Sequence, residues 1–91
     1  MDSKRAIGDR AHIRLVIDTT PTLLFTEHSG RDAVVMYNEG PADMLIGYSG
    51  SLATEGMRLA ADQGFTDNYS RNDWWGMTES SSGTFSGFLV F

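Results

Sequence analysis

Asp32-Ala33-Val34-Val35-Met36-Tyr37-Asn38 is followed at once by Glu39-Gly40-Pro41, and soon after by Met44-Leu45-Ile46-Gly47-Tyr48. The first run is short, β-branched and aromatic, the composition of a buried strand. Asn38 to Pro41 reads as a turn, because glycine accepts a positive φ and proline arrives with φ already fixed. Met44 to Tyr48 then reads as the next strand. Strand, tight turn and strand in immediate succession point to an antiparallel, all-β chain.

The rest of the sequence extends that pattern in both directions. His12-Ile13-Arg14-Leu15-Val16-Ile17 alternates, with Ile13, Leu15 and Ile17 on one face. Pro21 ends this run, Thr22-Leu23-Leu24-Phe25-Thr26 follows as a second strand, and Ser29-Gly30 marks a turn. Beyond Tyr48, Ser49-Gly50-Ser51 is loop. Thr54 to Asp62 contains good helix formers, but Gly56 and Gly64 bracket it and few apolar residues fall at helical spacing. The reading favours a short strand Met57–Leu59, a turn over Ala61–Gly64 and extended Phe65-Thr66, with a helix of one or two turns as the alternative. Asp67 to Asp73 is a polar loop. Asp73-Trp74-Trp75-Gly76-Met77 is a strand with one tryptophan in the core and its neighbour on the opposite face. Ser80-Ser81-Ser82-Gly83 is a turn. Thr84 to Phe91 is a closing strand expected to be paired and covered, since a free apolar edge invites aggregation. The predicted class is all-β: a single-domain β-sandwich, jelly-roll-like, with about seven to eight strands. Residues 12–91 form the domain and residues 1–11 a basic N-terminal arm.

Ninety-one residues suffice for one domain with a modest core. There is no cysteine, so neither a disulfide nor a Cys-based metal site is open to the chain. Oligomerisation or docking on a larger assembly is the expected source of added stability. The net charge of −5 is unevenly spread. Residues 1–14 hold Lys4, Arg5, Arg10 and Arg14 against Asp2 and Asp9, a balance of +2. Residues 15–91 hold three arginines against ten acids, a balance of −7. An acidic body argues against nucleic acid as a partner. No apolar run is long enough to span a bilayer, and the polar N-terminus leads into no signal-peptide core. Asn68-Tyr69-Ser70 matches a glycosylation sequon by chance.

Motifs for chemistry are sparse. Gly47-Tyr48-Ser49-Gly50-Ser51 approaches a nucleophile elbow, but its second glycine comes one place early and loop rather than helix follows. His12 and His28 are the only bases of their kind and do not show a metal-ligand spacing. The oxygen-rich stretch Asp67 to Asp73 lacks the glycine and distal glutamate of a calcium loop. No glycine-rich phosphate cradle opens a helix. The expectation is a non-enzymatic chain with no cofactor and no metal. Trp74, Trp75, Tyr48 and Tyr69 leave a sugar platform open as an alternative. Core packing for one tryptophan and a subunit contact for the other is the simpler account.

From Thr22 onward the signals come in a recognisable order. Thr22-Leu23-Leu24 precedes Ala33-Val34-Val35-Met36-Tyr37-Asn38-Glu39-Gly40-Pro41-Ala42-Asp43-Met44-Leu45-Ile46-Gly47. Glu55-Gly56-Met57-Arg58-Leu59-Ala60-Ala61-Asp62-Gln63-Gly64-Phe65 follows, then the aromatic strand Trp74–Met77 and the closing strand Gly83–Phe91. This order resembles a class of small tailed-bacteriophage virion structural proteins: capsid decoration, cement or fibre-base β-sandwich modules. The resemblance covers about three quarters of the chain and rests on turn and core positions, so it carries over no functional residue. The arm and the double tryptophan fall outside it. It implies a virion protein on the capsid surface, made in the host cytoplasm, with the major capsid protein as partner and a homo-oligomer, often a trimer, as the unit. In that setting Lys4, Arg5, Arg10 and Arg14 are candidate capsid-docking residues. Trp74, Trp75 and Phe91 are candidate subunit-interface residues. The alternative is a glycan- or receptor-binding module of a phage tail or fibre.

Overall fold

Strand β3 (Ala33–Pro41) turns Val34, Met36 and Asn38 inward and Ala33, Val35, Tyr37 and Glu39 outward, the period of two that its apolar run predicts. The structure, a computed structural model, describes residues 12–27, 29–68 and 70–91; the arm 1–11, His28 and Tyr69 lie outside them. Around β3 stand β1 (Ile13–Ile17), β2 (Thr22–Phe25), β4 (Met44–Gly47), β5 (Met57–Leu59), β6 (Gln63–Asp67), β7 (Trp74–Thr78) and β8 (Gly83–Val90), with one short helix, α1 (Leu52–Glu55).

The strands form two four-stranded antiparallel sheets, β1-β8-β3-β6 and β2-β7-β4-β5. The pairing is nested: first with last, second with seventh, third with sixth, fourth with fifth. A chain paired in this way is one long hairpin with its tip between β4 and β5. Rolling it up deals successive pairs alternately to the two sheets, which is the jelly-roll sandwich. The all-β sandwich expected from the sequence is therefore the fold. β8 occupies an interior position, hydrogen-bonded to β1 on one side and β3 on the other.

The inner faces meet in a core of Ile17, Leu24, Phe25, Val34, Met36, Met44, Ile46, Leu59, Trp74 and Phe85. Burying side chains of this size contributes about 1.5–3 kcal/mol each. Phe25 and Phe85 meet edge to face across the sandwich, with centroids 6.2 Å apart and planes at 62°. Gly87, on the inner face of β8, makes room for that pair. A Cβ there would stand 3.1 Å from Phe25 Cζ and 2.7 Å from the Val35 carbonyl oxygen.

Several boundaries differ from the sequence reading. Asn38 to Pro41 stays within β3, and the reversal falls at Ala42-Asp43. Here the register shifts between Asn38 and Gly40, so Glu39 is the extra residue of a bulge, and Gly40 takes φ +86°. The fully buried Asn38 amide makes this work. Its Nδ2 donates to the carbonyls of Ala42 and Leu59, both at 2.9 Å, and its Oδ1 accepts from the Gly40 N–H at 2.7 Å. It binds the β3–β4 turn to the β5–β6 turn. The helix α1 starts two residues before the stretch considered for one and overlaps it only at Thr54 and Glu55, while Met57–Leu59 is a strand as expected. Asp67 belongs to β6 and not to the loop that follows. The closing strand ends at Val90, leaving Phe91 beyond it.

Gly87→Ala is expected to lower stability by about 1–3 kcal/mol through overpacking. Gly64→Ala, whose Cβ would meet nothing nearer than 3.4 Å, is the control. Urea unfolding of both variants against the parent chain measures the difference, and equal stabilities would refute this account of Gly87.

Candidate functional site

Alternation that buries one face of β1-β8-β3-β6 turns the other to solvent, and on that outer face apolar side chains gather around β8 and β3 at the Phe88 end. Phe88 lies opposite Val35, Val90 opposite Ala33, and Tyr37 opposite Ser86. Phe88 is 43% exposed, Val90 39% and Tyr37 39%, while Val16 at the β1 edge reaches 67%. The His12 ring stands edge-on to Phe88, with centroids 6.3 Å apart. Gly64 and Thr66 on β6 are paired with Tyr37 and Val35, so only small groups flank these residues at that edge.

Arg14 shares this face. It reaches across Ser86 of β8 to Glu39 on β3, with Nε 2.9 Å and Nη2 2.8 Å from the two carboxylate oxygens. The Arg14 guanidinium, by hydrogen bonding, holds the Glu39 carboxyl below its ordinary value; the Ser86 hydroxyl adds to the effect. Glu39 in turn raises Arg14. Of the four basic residues considered for docking, Arg14 is thus engaged within its own chain, although still largely exposed. Lys4, Arg5 and Arg10 lie outside the described residues.

The candidate interface aromatics are not brought together. Trp74 is 4% exposed, packed in the core, and its Nε1 donates to Asp67 Oδ2 at 3.0 Å. A ring sealed within its own chain cannot serve as a subunit contact, so Trp74 is a core residue. Trp75 points to the other side of β7, beside Leu23. Gly50 lies over its ring, where an added Cβ would be 3.7 Å away. Phe91 follows β8 in the other sheet and is 47% exposed. Adjacent positions on a strand must face opposite ways, which separates the two tryptophans.

Two features escaped sequence reasoning. Arg31 is fully buried in the segment between β2 and β3. Its Nη1 donates to Thr26 O at 3.1 Å and its Nη2 to Asn72 O at 2.7 Å, while its Nε has no partner among the described residues. Burial pushes its pKa down, opposed by the nearby Asp67 carboxylate. Asp67 also accepts from the Ser70 N–H at 3.1 Å and the Ser70 hydroxyl at 2.7 Å, so Arg31 and Asp67 together pin the β6–β7 loop. Nothing in the residue pattern marks this arginine as buried. The second feature is a cleft of about 250 Å³ at the same end of the sandwich, lined by Ile46, Tyr48, Glu55, Met57, Phe65 and Trp74 among others. The Tyr48 and Trp74 centroids are 4.8 Å apart and those of Phe65 and Trp74 5.7 Å apart, each pair inclined at 60°. Tyr48 and the tryptophans were noted as aromatics in the sequence, but their grouping with Phe65 was not.

At the opposite end, a polar recess of about 350 Å³ is lined by Asp43, Glu79, Ser80 and Ser81 among others. Arg58 pairs with Glu79 there at 2.8 Å. Among the described residues no three His, Cys, Asp or Glu side chains gather in an arrangement able to hold a metal ion.

No protein-family model matches the sequence, and no curated protein matches it. Two solved structures are similar to it. An HTH_3-family transcriptional regulator from Vibrio cholerae superposes with a TM-score of 0.62 at 10% identity over 88% of this chain, which spans 40% of that protein's length. A structure of Bacillus endospore appendages, described as disulfide-linked pili, superposes with a TM-score of 0.53 at 16% identity over 89% of this chain and 82% of that one. At these identities the likeness is one of fold.

Arg14→Gln is expected to return the Glu39 titration toward the ordinary carboxyl value of 4.5. A carboxyl depressed in the folded state contributes stability above its unfolded pKa and loses it as pH falls through the folded one. The parent chain should therefore lose this contribution on acidification, and the variant should have little of it to lose. NMR titration of the Glu39 carboxyl carbon in both proteins checks this; superimposable curves would refute it.

Proposed function

We propose that the protein is a non-enzymatic structural subunit of a tailed-phage virion that decorates or cements the capsid. It docks between major capsid protein subunits, with a trimer as its unit. The observation that carries this reading is the outer face of β1-β8-β3-β6, where Phe88, Val90 and Tyr37 stand exposed beside Val35. A contiguous apolar patch on a soluble chain marks a surface to be covered. A capsid offers the same docking site at many symmetry-related positions, and a small subunit gains stability by being covered there. The acidic body suits the outward side, and the basic arm Lys4, Arg5 and Arg10 suits an acidic shell. The order of strand and turn signals from Thr22 to Phe91 adds the virion setting. That the similar Bacillus endospore appendages form pili is in keeping with an assembly role for the fold.

The alternative, a glycan- or receptor-binding tail module, calls for open tryptophan faces. Trp74 is sealed and Trp75 lies beneath Gly50, so this reading draws less support.

Light scattering is expected to report a trimer, and the protein should pellet with particles from the same source. Phe88→Asp, at an exposed position, should leave the fold intact and weaken pelleting by about tenfold or more, as loss of a central apolar anchor does. Deletion of residues 1–11 should weaken it too. A monomer that stays in the supernatant, or a Phe88→Asp variant that pellets like the parent, would overturn the proposal.

A further inference from the structure

A four-stranded sheet ends in two strands whose outer N–H and C=O groups are a template for a further strand. The two sheets of this sandwich treat those edges differently. β2-β7-β4-β5 ends on one side in β2, four residues long, set just after Pro21 and bulged between Leu23 and Phe25. It ends on the other in β5, three residues long and carrying Arg58, which is paired with Glu79. Short length, a bulge, a proline and a charge are the features that keep edge strands from pairing. β1-β8-β3-β6 ends in β1 and β6, each five residues long and paired with its neighbour without a bulge. β6 holds no lysine, arginine or proline, and its exposed residues are Gln63, Gly64 and Thr66. The one charged residue of β1, Arg14, is drawn back over the sheet onto Glu39 and does not guard the edge. Among the described residues no strand covers the outer edge of either.

The two open edges fit each other. Every neighbour in β1-β8-β3-β6 is antiparallel, so β1 and β6 run in opposite directions. A second copy set beside the first without turning over therefore presents β1 antiparallel to β6, with both inner faces on the same side. Alternation then requires outward residues to stand opposite outward residues. Full overlap of the two strands sets Val16 opposite Gly64 and Arg14 opposite Thr66, with inward Leu15 opposite inward Phe65. Val16 is the most exposed large apolar residue among those described, and Gly64, paired with Tyr37, leaves the space its side chain needs. Charge favours the same arrangement. The sequence 1–14 that leads into β1 has a balance of +2 and the body 15–91 a balance of −7. Joining β1 to β1 would set two basic stretches together, whereas joining β1 to β6 sets each against an acidic body.

We propose that copies of this chain join head to tail, β1 of one adding to the open edge of β6 in the next. A contact between unlike edges closes into a ring or runs on as a filament. The inference rests on the trimer of the proposed function, which it builds as a closed ring of three. It uses the sheet edges and leaves the Phe88 face free for the capsid.

Cysteine cross-linking of the purified full chain is the test, since the parent sequence has no cysteine. Directly opposed residues of antiparallel strands stand about 4.5–5.5 Å apart at Cα, within disulfide reach. Within one copy two strands separate β1 from β6, a span of about 14 Å, so a bond between them must join two copies. Under mild oxidation, Val16→Cys mixed with Gly64→Cys is expected to give a linked dimer and nothing larger. It should form at least about tenfold faster than from Ser80→Cys mixed with Gly64→Cys, because a specific contact raises the effective thiol concentration. The chain carrying both Val16→Cys and Gly64→Cys should link three copies. All three positions are exposed, so the variants should keep their fold, which a thermal melt checks. Val16→Cys linking to itself as fast as to Gly64→Cys, or a mixture no faster than the Ser80→Cys control, would overturn the proposal. A trimer by light scattering without this cross-link overturns the contact and leaves the trimer standing. Efficient cross-linking by a chain that fails to pellet with particles upholds the contact and overturns capsid docking alone.

Discussion

β8 has to enter the sheet between β1 and β3 and satisfy hydrogen bonds on both of its edges at once. That requirement governs the rest of the sandwich. Its register against β3 sets Phe85 opposite Asn38 and Gly87 opposite Met36, and so aims Phe85 at Phe25 across the core. A slip of one residue would exchange the inward set Phe85, Gly87 and Leu89 for the outward set Ser86, Phe88 and Val90. The bulge at Glu39 carries the pairing on to Pro41–Gly83, so the long strands β3 and β8 stay joined to their ends. Because the partners of β8 lie at the far end of the chain, the fold consists largely of distant pairings, the kind expected to form slowly.

Two buried polar groups secure the ends that the strands leave open. Asn38 stitches the β3–β4 turn to the β5–β6 turn through three side-chain hydrogen bonds. At the other end Arg31 and Asp67 hold the β6–β7 loop and fix the orientation of Trp74. Each works because a buried donor or acceptor is costly unless matched, so a group with several matched contacts defines one geometry. The indole that the Arg31–Asp67 network holds in place is the inner wall of the aromatic cleft.

The division of the surface follows from the same alternation. In β1-β8-β3-β6 the core takes one face, and the residues left outside include the exposed Phe88, Val90 and Tyr37 beside the Arg14–Glu39 pair. On β2-β7-β4-β5, α1 and the preceding loop cover part of the outer face. Gly47, where a Cβ would stand 3.0 Å from Leu52, allows that helix to lie close. One sheet is thus partly capped by its own chain, while among the described residues Phe88, Val90 and Tyr37 stay exposed on the other.

The amino-acid sequence by itself determined the centres of the strands, the all-β class and the alternation that makes Ile13, Leu15 and Ile17 inward, because these depend on neighbours within a few residues. It also determined that Trp74 and Trp75 face opposite ways. Tertiary structure alone decided which tryptophan is the buried one, because that depends on where Asp67 and Tyr48 stand. It moved the turn from Asn38–Pro41 to Ala42-Asp43, because the Asn38 amide finds its partner in Leu59, 21 residues along the chain. Arg31 reads locally as an ordinary charged residue beside a turn and becomes a buried clamp only once Thr26 and Asn72 converge on it. The cleft was illegible for the same reason: Tyr48, Glu55, Phe65 and Trp74 are scattered over four elements of the chain, and only the rolled hairpin closes them around one space.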